Sequence, residues 1–112
     1  MIAQINELKA TANELIENIC ARMQTVAECY QSGNDERANE KMVYLMEDIA
    51  VLVEAADLLK TNVSAVNIEE CNEKLNMLFQ AYQAKDYLLT ADLLTFELHP
   101  LFEYWSENLT ND

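Results

Sequence analysis

Apolar residues recur at intervals of three and four over nearly the whole of this chain, and that rhythm admits helices and little else. The clearest run is Ala38, Met42, Leu45, Ile49, Leu52, Ala56 and Leu59. These steps hold every side chain on one side of a 3.6-residue turn, as the a and d positions of a heptad do. A neighbouring row of Val43, Met46, Ala50 and Val53 widens the seam. Glu40, Glu47, Glu54 and Thr61 return every seven residues and mark the wet side. An earlier stripe joins Ile5, Leu8, Ala12, Leu15, Ile16, Ile19, Met23, Val26 and Tyr30. Two later ones follow: Ile68, Cys71, Leu75, Leu78 and Tyr82 with Phe79 alongside, then Tyr87, Ala91, Leu94, Leu98, Leu101 and Trp105.

The breaks between these stripes carry turn and capping chemistry. The first segment spans about 2–32 and ends at Ser32-Gly33-Asn34-Asp35. Gly33 can take the left-handed conformation there, and Asn34 or Asp35 can cap the second segment, 35–60. Residues 61–66 form the longest loop. Asn67 caps the third segment with Glu70 as its capping-box partner, and after a tight turn at Lys85-Asp86, Asp86 caps the fourth. Pro100 lies inside the fourth segment. It lacks a donor and clashes with the carbonyl of Phe96, which predicts a kink near His99-Pro100 or a break into two shorter helices.

One Gly and one Pro supply too few turn residues for an all-β fold. A length of 112 residues fits one domain, and a 51% hydrophobic content argues against disorder. The expected fold is all-α: an antiparallel up-down four-helix bundle over 1–112, its last helix kinked near Pro100. Two helical hairpins stacked as a short repeat array are the alternative.

Twenty acidic residues against seven basic ones give a net charge of −13. Such acidity argues against direct binding to nucleic acid or to an anionic membrane surface. The first seven residues hold no basic cluster of the kind that opens a signal peptide. The most apolar run, 49–59, contains Glu54 and Asp57 and is too short to span a bilayer. A cytoplasmic location is expected. Cys20, Cys29 and Cys71 include no CxxC pair. Cys20 and Cys29 fall on opposite edges of one stripe, so they cannot bridge, and all three read as reduced small hydrophobes.

Catalytic motifs are sparse. A carboxylate-bridged di-metal bundle needs Glu-x-x-His on two helices. The one histidine is His99, and Phe96 fills the required offset. There is no G-x-S-x-G elbow and no Gly-rich phosphate loop, so neither an enzyme nor a cofactor is expected. Asp92, His99 and Glu103 are spaced to share one face of a straight helix. They define an alternative, a metal-binding enzyme or sensor.

Two features favour a binding protein. Val51, Ala55 and Leu58 form a third apolar row on the second segment, suited to a partner or to a homodimer through that helix. Residues 86–112 hold six acids and no Lys or Arg. Within them Glu103, Tyr104, Trp105 and Glu107 make an acidic, aromatic set suited to a basic protein partner. The expected function is therefore non-enzymatic: a cytoplasmic adaptor, export-type chaperone or regulator that binds a protein. An acidic mimic of nucleic acid is a further alternative.

The stretch 86–101 reads D-Y-L-L-T-A-D-L-L-T-F-E-L-H-P-L. It resembles a pattern, D-Y-x-L-x-A-D-L-L-x-x-E-L-x-P-L, near the C-terminus of small uncharacterised helical proteins of Gram-positive bacteria. That resemblance implies a helical fold and no activity. In size, helix count and acidity the chain is also similar to flagellar export chaperones, a likeness of architecture that implies partner binding.

Overall fold

A computed structural model describes residues 2–110. Helix α1 spans Ile2–Gln31, α2 Asp35–Leu59 and α3 Ile68–Gln83. The fourth helix is interrupted: α4 (Tyr87–Leu93) passes through a π turn (Leu94–Leu98) into α5 (His99–Thr110). No strand occurs among the described residues. The result is the four-helix bundle expected, elongated at 46 × 22 × 19 Å. Its packing is uneven. α1 runs against α2 on one side and against the fourth helix on the other. The fourth helix in turn packs on α3, while α2 and α3 meet only lightly.

The heptad seam explains this core. Every seam residue of α2, from Ala38 to Leu59, is buried. So are Ala12, Ile16, Ile19, Met23, Val26 and Tyr30 from α1. Leu78, Leu94, Leu98, Phe102 and Trp105 close the core from the other two helices. Each full burial of such a side chain stabilises by about 1.5–3 kcal/mol, so the stripes alone suffice to drive the collapse. The widening row on α2 is corrected in part. Met46 and Val53 pack partly against the core, but Val43 and Ala50 are exposed. Phe79 likewise turns mostly outward rather than joining the α3 stripe. Val63 and Val66, in the connection between α2 and α3, are buried as plugs under the bundle.

Helix ends follow local chemistry. At the end of α1 the Gly33 N–H donates to the Tyr30 carbonyl at 3.1 Å and the Asn34 N–H to the Cys29 carbonyl at 2.8 Å. That is a Schellman motif, and Gly33 has φ +81°. The end of α3 repeats it with Lys85 and Asp86, but there the left-handed residue is Lys85 at φ 60°. Asn67 caps α3 by accepting from the Glu70 N–H, and Asp86 caps α4 by accepting from the Leu89 N–H. Asn34 precedes α2 without a side-chain capping bond. A β-carbon at Gly33 meets nothing within 4 Å, so its cost is purely conformational. Gly33→Ala should destabilise by about 1 kcal/mol, and Lys85→Gly should stabilise by about 0.5 kcal/mol. Urea midpoints check both; a loss at Lys85→Gly equal to that at Gly33→Ala would contradict this reading of the turns.

The distortion anticipated at Pro100 takes the form of the π turn. The His99 N–H bonds to the Leu94 carbonyl, five residues back. Proline lacks the donor of a normal turn and crowds the carbonyl four residues before it. A wider turn immediately upstream accommodates both defects without ending the helix.

One polar cluster ties three helices together at one end. Tyr30 and Tyr87 stack with ring centroids 5.0 Å apart. The Tyr30 hydroxyl donates to Asn39 Oδ1 at 2.7 Å, and Asn39 Nδ2 donates to the Tyr87 oxygen at 3.2 Å. Elsewhere Arg22 pairs with Asp48 between α1 and α2, and Lys74 pairs with Glu97 between α3 and the fourth helix. Both pairs are part-exposed and contribute at most about 1 kcal/mol.

Candidate functional site

The fourth helix presents two unlike faces. Its inward face is the stripe that includes Trp105, which is 1% exposed and lies against Phe102 with centroids 5.2 Å apart. This corrects the expectation that Trp105 anchors an interface. It follows Leu98 and Leu101 by the same steps of three and four, and that register puts it in the core. Among the described residues its Nε1 is the one buried side-chain polar atom with no hydrogen-bond partner.

The outward face carries Phe96, 69% exposed, and Tyr104, 52% exposed. Glu103 and Glu107 are exposed beside Tyr104. Glu103 reaches back along the helix, and its Oε1 lies 2.7 Å from His99 Nδ1. These two side chains border a shallow groove against α1, whose wall also holds Glu17 and Cys20. Three carboxylates, those of Glu17, Glu103 and Glu107, therefore converge on one seam.

Asp92 does not join His99 and Glu103. Seven residues make two turns of a straight α-helix, but the π turn between Asp92 and His99 adds a residue and rotates the two apart. Among the described residues no group of three His, Cys, Asp or Glu side chains is placed to hold a metal ion. The metal-site alternative thus loses the geometry that suggested it.

The third row of α2 stays out of the core. Val51 is 54% and Leu58 66% exposed, and Ala55 is half-buried. Tyr44, also exposed, extends the row and lines a groove with Arg22, Thr25 and Lys41. Through Tyr44 the row reaches the groove beside α1, whereas Phe96 and Tyr104 lie beside α3.

Sequence reasoning missed Phe96, Met77 and Leu89 as surface residues. The signal was present: all three are large apolar residues that fall off their helix's stripe. The free thiols divide by position. Cys20 and Cys71 are buried and Cys29 is half-buried. Burial, then the nearby Glu103 carboxylate, pushes the Cys20 thiol up to about 11. Burial, then Glu70, does the same for Cys71. Neither supplies a ready thiolate near neutral pH.

Among the described residues no helix is long and apolar enough to cross a membrane. The family model for a domain of unknown function, DUF8042, matches residues 7–108. The chain belongs to the DUF8042 family. The match takes in all four helices, and with them both outward surfaces. No curated protein and no solved structure matches the chain.

Proposed function

We propose that this DUF8042 protein is a non-enzymatic helical protein that binds a protein partner, in the manner of an adaptor, chaperone or regulator, through the outward face of its fourth helix. The observation that carries this is the exposure of Phe96 and Tyr104, 69% and 52%, on a segment with no Lys or Arg. Large aromatics held at the surface are favourable anchors when a partner desolvates them. Surrounding carboxylates suit a basic partner and repel acidic ones. A cytoplasmic setting accords with three free thiols.

The test compares partners captured from native lysate by the wild type, by Phe96→Ser/Tyr104→Ser and by Val51→Asp/Leu58→Asp. Both double variants change exposed positions and should keep the fold, which circular dichroism verifies. The expected result is that the first double variant loses partners by tenfold or more and the second does not. Identical partner sets for the wild type and Phe96→Ser/Tyr104→Ser would overturn the reading. Loss confined to Val51→Asp/Leu58→Asp, with a change in oligomeric mass, would move the interface to the row on α2 and support a homodimer there.

A further inference from the structure

Two shallow depressions lie in succession between α3 and the fourth helix, and taken together they make a groove beside α3. On its α3 wall Glu70, Lys74, Met77, Ala81 and Ala84 follow one another by four, three, four and three. On the facing wall Leu89, Leu93, Phe96, Pro100 and Tyr104 follow by four, three, four and four. Ala81, Leu93 and Leu101 are nearly buried and form the floor. Met77, Leu89, Phe96 and Tyr104 stand exposed at the rims. From Glu70 to Ala84 the wall is about 21 Å long at a rise of about 1.5 Å per residue, the length of a helix of about fourteen residues.

The walls decide what kind of chain the groove can take. Both are helices, with no sheet edge to pair an extended strand. An extended peptide would bury its backbone N–H and C=O groups here without partners, whereas a helix satisfies its own. The apolar rims repeat at three and four, which matches the i, i+3, i+4 and i+7 anchors of an amphipathic helix laid in a groove. Charge decides its polar face. Glu70, Asp86 and Glu97 line the groove. Lys74 is the one base among these lining residues, and it is held by Glu97 at 2.5 Å. A second copy of the chain would bring two molecules of net charge −13 together, so like charge disfavours it.

We propose that the groove between α3 and the fourth helix receives a basic amphipathic helix of a partner protein. Its apolar side rests on Met77, Leu89, Phe96 and Tyr104, and its Lys or Arg side chains face Glu70 and Asp86. This rests on the partner-binding reading above and names the chemistry of the occupant.

Fluorescence anisotropy of a labelled synthetic fifteen-residue helix tests it, with Leu along one face and Lys on both flanks, titrated with the full chain. A matched peptide with Glu at every Lys position is the control. The Lys peptide should bind at least tenfold more tightly than the Glu peptide, and its affinity should fall several-fold as salt rises. Met77→Ser/Phe96→Ser should weaken it at least tenfold, while Val51→Asp/Leu58→Asp should leave it unchanged. Equal binding of the two peptides, or insensitivity to Met77→Ser/Phe96→Ser, would overturn the proposal. So would a dimer in sedimentation that Met77→Ser/Phe96→Ser dissolves, which would make the occupant a second copy. Failure of the Lys peptide to bind, with capture of native partners still dependent on Phe96 and Tyr104, overturns the basic helix and leaves partner binding standing. If that capture is also insensitive, both readings fail.

Discussion

Trp105→Ala should lower stability by about 3–5 kcal/mol, the range for removing a large aromatic from a packed core. For a domain of this size that is a fall in Tm on the order of 15 °C. Trp105 is 1% exposed, lies against Phe102, and sits between Leu101 and Leu109 in the buried stripe of the fourth helix. Its buried Nε1 has no hydrogen-bond partner among the described residues. Leaving such a donor unpaired costs about 1–3 kcal/mol. Trp105→Phe keeps much of the ring and removes that donor, so it should cost far less than Trp105→Ala. Thermal melts of the two variants separate a core role from an interface role. An interface anchor would leave both melts near the wild type and reduce partner binding; equal, large losses for Ala and Phe would instead mean that the indole N–H is satisfied.

Alkaline unfolding should be equally marked. The Cys20 and Cys71 thiols move from 9.0 in the ordinary state to about 11 in the folded chain, with burial the chief cause in each. Burial, followed by Tyr82, Tyr87 and Asp35, also raises the Tyr30 hydroxyl well above its ordinary range. All three hold their protons more tightly when folded. The contribution of the two thiols is therefore fully present below about pH 9 and is lost as pH climbs through 11, while that of Tyr30 is lost only at still higher pH. A shift of two units corresponds to about 3 kcal/mol per thiol at most. Against a total stability of about 5–15 kcal/mol, the chain should approach unfolding near pH 11. Urea midpoints under reducing conditions should hold steady from pH 7 to 8 and then drop. Cys71→Ala should be modestly weaker at neutral pH but show a shallower alkaline fall. A midpoint that is flat from pH 8 to 11 would contradict the burial of these groups.

The elements legible from sequence were those set by local chemistry. Gly33, Asn67 and Asp86 mark helix ends because each supplies a conformation or an acceptor that its own few neighbours need. The seam of α2 was legible because each of its residues faces the same way without reference to the rest of the chain. Trp105 was misplaced because its acidic neighbours suggested a surface while its spacing from Leu98 and Leu101 placed it inside. Spacing prevailed, since position around a helix decides burial and neighbouring residues point elsewhere. Asp92 and His99 were brought together only on the assumption of a straight helix, and the π turn before Pro100 removed it. Val63 and Val66 show no period because they lie in a connection, so nothing local marks them as core. The groove beside α3 was the least legible feature. It exists because two particular helices lie side by side, and no single stripe records which helices are neighbours.

On the proposal above, Phe96 and Tyr104 face a protein partner while the row on α2 does not. Photo-crosslinking in native cells addresses it most directly, with benzoylphenylalanine placed singly at positions 96, 104 and 51. One discrete cross-linked partner should be shared by positions 96 and 104 and missing at 51. Cross-links at 51 alone, or none at 96 and 104 while the protein is folded and expressed, would contradict it.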